Sequence, residues 1–278
     1  MRSLCSPIHS GRDHLYECPY PAQKPETLRL SLTVINNREY DMKELLKRSI
    51  GRFGYIIVRA PAFIDFLKSR KVDLVLDVGA NVGQFAQSLR REGYRGEIIS
   101  FEPVKPVFEQ MSRAMAGDAR WKGLCLALGE ANRMGSINVS RQSVYSSLLA
   151  QTAYASEFDP IGSIVTGTEE VQVVTLDSLF PDFGGKNVFL KIDTQGSEEG
   201  VLRGAPSSLN KICGLQLELP IRRLYAGTWS LSQALETLNR AGFVPAQMRP
   251  VQCLTEDPQS WAEVDCTFRR KQPADNAE

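Results

Sequence analysis

The sequence predicts an α/β fold with a mainly parallel sheet, and three observations predict it. From Lys71 onward, apolar strand-like runs alternate with helical segments, the pattern of βαβ units. The first of these runs ends in an acid and enters a glycine-bearing turn that opens a helix. The chain has 278 residues, 42% hydrophobic and 23% charged, enough for one large α/β domain plus an appendage.

The elements follow in order. Residues 1–38 are proline-rich and weakly patterned and read as a tail or packing arm. Residues 41–50 (DMKELLKRSI) and 61–70 have the spacing of short amphipathic helices. Residues 72–77 (VDLVLD) read as the first strand, followed by a helix over 83–92. A second strand spans 97–101 (EIISF), a helix runs over 105–116, and a third strand covers 124–128. The alternation then breaks. Residues 135–139 resemble a strand, 145–149 a loop and 171–176 another strand. Residues 187–193 (NVFLKID) form a strong buried strand, with a helix starting near Ser197. A strand over 215–219, a helix over 231–241 and a closing antiparallel hairpin of 242–248 with 264–269 complete the chain. This gives an N-terminal tail and helical appendage over 1–70, a folded domain over 71–271 and a C-terminal tail over 272–278.

Charge narrows the function. The 33 basic and 32 acidic side chains leave a net charge of +1, which supplies no general field for nucleic acid. No apolar run approaches the ~20 residues of a membrane-spanning helix, and the polar, proline-broken start lacks the apolar centre of a secretory signal. The expectation is a cytoplasmic protein without nucleic-acid partners. Cys125, Cys213 and Cys266 lie in apolar runs and are expected in the core. Cys5, His9, His14 and Cys18 are residue types that bind zinc, but their spacing matches no standard finger, so a plain tail is the favoured reading.

The informative stretch is LVLDVGANVGQFAQSLR. Asp77 ends the strand, Gly79, Asn81 and Gly83 follow, and a helix begins there. Glycines let the backbone turn tightly and approach a ligand, and a helix N-terminus offers unpaired N–H groups. Glu102 closes the second strand 25 positions after Asp77, and in a parallel sheet both strand ends open on one crevice. Three ligands compete for this turn. A P-loop needs a following Lys and Ser or Thr, which are absent. A dinucleotide brings a pyrophosphate, for which Asp77 is a poor neighbour. S-adenosylmethionine (SAM) carries no phosphate, and its ammonium and sulfonium suit an acidic strand end. Glu102 would then accept hydrogen bonds from its ribose.

These residues, together with those further along, resemble the FkbM family of SAM-dependent methyltransferases. The matching pieces are DVGANVGQF at 77–85, FEP at 101–103, TLD at 175–177 and LKIDTQGSEEGVLRGA at 190–205, and the likeness covers roughly 72 to 269. The resemblance implies a Rossmann-like class I methyltransferase fold, a seven-stranded, mostly parallel sheet with an antiparallel last strand. It implies SAM as cofactor and methyl transfer to a hydroxyl of a sugar, glycolipid or other natural product. By position, Asp77, Gly79, Asn81 and Gly83 would line the methionine part of SAM, Glu102 would hold the ribose, and Ala127 and Leu128 would flank the adenine.

A second constellation lies in KIDTQGSEE. Strand alternation puts Lys191 and Asp193 on one face at a carboxyl end, and Glu198 opens the next helix. Asp193 or Glu198 is the candidate to orient or deprotonate the acceptor hydroxyl, with Lys191 as a third catalytic candidate. The competing reading is structural: acids favour a helix's first turn, and Lys191 pairs with Asp193. No metal is required, although two carboxylates would suit magnesium. Glu218, Ser146, Ser147, Tyr225 and Trp229 are further acceptor-side candidates, each with an equally good packing explanation. The alternatives are an N-methyltransferase or other SAM-dependent transferase, a non-catalytic SAM-fold binding protein and a nicotinamide oxidoreductase. The expected partner is a small-molecule or glycan acceptor, a lipid-linked one included. The sequence leaves oligomeric state open.

Overall fold

By its internal contacts the chain divides into two units, residues 1–62 and 63–278. The computed structural model describes residues 62–276 apart from 184, 255 and 258, together with the isolated positions 49 and 52. The expected helix at 41–50 lies almost wholly outside the described residues, as do Cys5, His9, His14 and Cys18.

Helix α1 (Phe63–Ser69) forms where 61–70 predicts one, and buries Ile64, Phe66 and Leu67. Phe63 and Phe66 pack edge-on against Phe189, at centroid distances of 5.3 and 5.8 Å. Then β1 (Leu74–Val78), α2 (Gln84–Arg91), β2 (Glu97–Phe101), α3 (Lys105–Met115) and β3 (Trp121–Leu124) follow in βα alternation. An inserted layer holds β4 (Ala127–Leu128), β5 (Arg133–Ser140), α4 (Ala153–Phe158), β6 (Val165–Val174) and α5 (Leu176–Leu179). The chain finishes with β7 (Val188–Ile192), α6 (Glu198–Arg203), β8 (Ile212–Pro220), α7 (Leu231–Arg240), β9 (Phe243–Cys253) and β10 (Trp261–Arg270).

Seven strands form the main sheet in the order β3-β2-β1-β7-β8-β10-β9. Only β10 runs against the others, paired antiparallel to β8 and β9. The sequence-predicted architecture is therefore the observed one. Strand order reverses beside β1, which has β2 on one side and β7 on the other. The carboxyl ends of these three strands therefore surround one crevice. Phe101, Leu76, Leu190 and Ile192 are wholly buried beneath it. At ~1.5–3 kcal/mol for each such side chain, they hold the strand ends rigidly in place. No helix among the described residues is long and apolar enough to cross a membrane.

Three local expectations need correction. The run 124–128 is not one strand: β3 ends at Leu124, and β4 pairs instead with β6 in a second sheet of order β4-β6-β5. A continuous apolar run carries no mark where its pairing partner changes. Cys125 sits in that link and is exposed, whereas Cys266 is buried and Cys213 partly so. The strand at 171–176 stops at Val174, because the Thr175 side chain accepts from the Ser178 amide and starts α5. Helix α4 was not anticipated. Its six residues are too short to show a period, and it forms by packing Tyr154 and Ala155 against Leu224 and Tyr225.

Candidate active site

The site is built where β1, β2 and β7 end. Parallel register places Asp77 beside Ser100 on β2 and beside Lys191 on β7. The Asp77 carboxylate is fully buried. Its Oδ2 accepts from Ser100 Oγ at 3.1 Å, and Lys191 Nζ lies 3.4 Å from Oδ1. The same ammonium donates to Asp193 Oδ2 at 3.2 Å. One lysine thus bridges two carboxylates. Burial pushes the Asp77 carboxyl upward, while Lys191 and Ser100 pull it back. Burial alone would lower the Lys191 ammonium, but Asp193 and Asp77 outweigh it and raise it above the usual lysine range. Lys191 stays protonated, as a counterion beneath the crevice.

The glycine turn has separate reasons at each position. Gly79 has φ +75°, and a Cβ there would stand 1.8 Å from the Asp193 carbonyl oxygen. Only glycine lets the ends of β1 and β7 meet this closely. Asn81 has φ +50°, and its own Oδ1 accepts from the Val82 amide at 2.8 Å. Gly83, at φ +83°, precedes α2 and faces Met111 on α3.

Glu102 staples this turn to the next one. Its Oε2 accepts from the Asn81 amide and its Oε1 from the Val104 amide, each at 2.9 Å. Burial pushes its carboxyl up to about 7, against the pull of the two amides. Each oxygen keeps a second lone pair.

Gly79, Asn81, Glu102, Ala127, Leu128 and Asp193 all line one cleft, which encloses about 660 Å³ with the solvent at its mouth included. Six of the cofactor and catalytic residues picked from the sequence therefore converge, and the acceptor-side candidate Ser146 lines the same cleft. Asp77, Gly83 and Lys191 do not reach the cleft wall but support it from below or behind. The Asp193 side chain is 34% exposed. Its Oδ1 accepts from Gln195 Nε2 at 2.9 Å and its Oδ2 from Lys191, so both oxygens are fixed in direction.

Glu198 is placed differently. It is buried, and its Oε1 accepts from the Thr194 amide, Thr194 Oγ1 and the Gly196 amide at 2.9, 3.1 and 3.1 Å. Burial raises this carboxyl while the amides oppose the rise. The side chain is turned onto its own loop and lines a smaller cavity with Glu218, Tyr225, Thr228 and Glu263. Among the described residues, no group of three or more His, Cys, Asp or Glu is arranged to hold a metal. Trp229 is buried in the main core and Tyr225 in a smaller cluster, both as packing residues.

Sequence reasoning missed Gln195, and the pairings of the loop whose Ser146 and Ser147 it had named as acceptor-side candidates. Gln195 occupies the left-handed region at φ +56°. Its Nε2 donates to both Asp193 Oδ1 and Glu218 Oε2, and its Oε1 accepts from the Tyr225 hydroxyl at 3.0 Å. That loop is part of a strap over residues 140–151 that covers the cleft. Ser143 Oγ donates to Asn81 Oδ1 at 3.0 Å, and Ser147 Oγ donates to the Gln195 carbonyl at 2.7 Å. Neither pairing has a local signal, since the partners are 62 and 48 positions apart. The TLD motif proves architectural: Asp177 accepts from the Ser207 and Ser208 amides.

The cleft suits a nucleoside with a cationic tail. It offers a buried carboxylate with spare lone pairs, an apolar floor and a second carboxylate, and among the described residues no Lys or Arg stands on its wall. The profile of the methyltransferase FkbM domain matches residues 77–245. That is more than half of the chain, and the chain belongs to this family. Among curated proteins no sequence matches it. Solved structures similar to it include the methyltransferase domain of bacterial CtHen1, at 10% identity and TM-score 0.41, covering 75% of this chain and 95% of that one. Fibrillarin from Aeropyrum pernix with natively bound S-adenosyl-L-methionine is similar at 11% identity and TM-score 0.38, covering 70% and 66%. An O-methyltransferase of neocarzinostatin biosynthesis, in complex with SAM and 2-hydroxy-5-methyl naphthoic acid, is similar at 10% identity and TM-score 0.38, covering 73% and 50%.

Proposed function

We propose that this FkbM-family methyltransferase transfers the methyl group of SAM to a hydroxyl oxygen of a sugar, glycolipid or other natural-product acceptor. The observation that carries the reading is the placement of Asp193. It stands partly exposed in the same cleft as Glu102 and the glycine turn, with its carboxylate aimed by Lys191 and Gln195.

When bound, SAM would supply an activated methyl group, whose bond to sulfur breaks as the acceptor oxygen takes it, with S-adenosylhomocysteine leaving. The remaining lone pairs of Glu102 accept the ribose hydroxyls, and Ala127 and Leu128 flank the adenine. The Gly79–Asn81 turn faces the methionine part. Asp193 accepts a hydrogen bond from the acceptor hydroxyl, holds its oxygen in line and takes its proton as the new bond forms. Lys191 holds the Asp193 carboxylate in direction for that task. Glu198 shapes the Thr194–Gly196 loop on which Gln195 sits. Positioning supplies most of the rate, and the base adds about 10²–10⁴-fold.

The test is Asp193→Asn. Calorimetry should show SAM binding weakened by no more than about tenfold, since the Glu102 contacts are kept and only one charge facing the cationic tail is lost. Transfer of labelled methyl from SAM to panels of glycans and hydroxylated natural products should fall by about 10²–10⁴-fold. A variant as active as wild type, or a product methylated on nitrogen, would sink the reading.

A further inference from the structure

Among the described residues the cleft has acids but no cation on its wall, because the nearby Lys191 is locked beneath it between Asp77 and Asp193. The amino-acid end of SAM carries a carboxylate, which only accepts hydrogen bonds. Among the described residues, the donors on this wall that can meet it are neutral. Three of the side-chain donors on the wall are already committed, and Gln84 is exposed at the start of α2. Thr194 Oγ1 donates to Glu198, Gln195 Nε2 to Asp193 and Glu218, and Ser143 Oγ to Asn81.

Ser146 is different. Its Oγ accepts from the Ser140 amide at 3.1 Å, which fixes the oxygen, and its own proton meets no acceptor among the described residues. It lines the cleft on the strap, next to the turn that joins the strap to Asn81 through Ser143. Asn81 spends its Oδ1 on the Val82 amide and on Ser143, and keeps its Nδ2 as a second donor. The strap is held from the other side by Ser147 on the Gln195 carbonyl, so Ser146 is in place before a ligand arrives. An acceptor hydroxyl needs a hydrogen-bond acceptor, and Asp193 provides it; a carboxylate needs a donor, and Ser146 has one to give.

We infer that the Ser146 hydroxyl, with the Asn81 side-chain amide, binds the carboxylate of SAM. This rests on the cofactor reading above and adds a residue of the strap to it. The strap then couples cofactor binding to the acceptor side, since its next residue is bonded to the loop that carries Gln195.

The experiment compares SAM with decarboxylated SAM, which lacks only that carboxylate, by calorimetry on the full chain. Wild type should prefer SAM. Ser146→Ala should weaken SAM by about tenfold or more, the size of a hydrogen bond to a charged group, and leave decarboxylated SAM within about twofold. Ser146→Thr, which keeps the hydroxyl, should restore most of the preference. Equal weakening of both ligands, or no change in either, would overturn the assignment. Failure of wild type to bind SAM at all would instead remove the cofactor reading, so the two failures are distinguishable.

Discussion

Replacing Glu102 by Gln tests the cofactor site through pH. The free protein holds this carboxyl at about 7, from an ordinary 4.5, because burial outweighs the Asn81 and Val104 amides. If ribose hydroxyls bind the ionised form, apparent affinity scales with the ionised fraction. With half-ionisation near 7, binding should be about tenfold weaker at pH 6 than at pH 8. Glu102→Gln removes the titrating group and places an NH₂ against one of the two backbone amides. Its affinity should fall about 10–100-fold at pH 8, from ~1.5–3 kcal/mol of charge-assisted bonding. It should also lose that pH slope. The assay is calorimetry with S-adenosylhomocysteine at pH 6, 7 and 8, using the difference between wild type and variant to remove the ligand's own amine titration. Parallel slopes in the two proteins would refute the reasoning. Stability carries the same signature. A carboxyl raised on folding contributes stability that is fully present below 4.5 and lost as pH rises through about 7. The loss is about 3 kcal/mol, and Glu102→Gln should flatten that part of the urea-unfolding profile.

Other substitutions isolate the scaffold. Lys191→Met strands the buried Asp77 carboxylate and should cost about 3–5 kcal/mol in denaturant unfolding; adding Asp77→Asn should recover much of it, and a double variant no better than the single would count against the ion bridge. Gly79→Ala drives a Cβ to 1.8 Å from the Asp193 carbonyl, so it should abolish folding or SAM binding. Gly93→Ala, also left-handed at φ +91° but with nothing within 4 Å, should cost only ~1 kcal/mol in a thermal melt. Asp177→Ala frees the Ser207 and Ser208 amides and should lower stability by about 1–3 kcal/mol while leaving SAM affinity unchanged by calorimetry.

Local chemistry was legible in the sequence. The apolar period and the turn residues announced the alternating elements and a closing antiparallel hairpin, because strands and turns answer to neighbours a few positions away; the seven-stranded sheet was what the family resemblance implied. The acid-bounded glycine turn and Glu102 were legible for the same reason: they end consecutive strands whose ends must open together. Lys191 and Asp193, two apart on one strand, were expected on one face, and a 3.2 Å contact joins them. What the tertiary structure alone decided was the partners. The register of β1 on β7 makes Lys191 the counterion of Asp77 as well, and leaves that acid under the cleft instead of in its wall. Glu198 curls onto Thr194 and Gly196, a choice set by burial of the α6 start that no spacing rule reports. The strap that brings Ser143 and Ser146 over Asn81, and the Gln195 amide held between Asp193, Glu218 and Tyr225, join residues tens of positions apart. Such contacts exist only once sheet order and packing have fixed which surfaces meet.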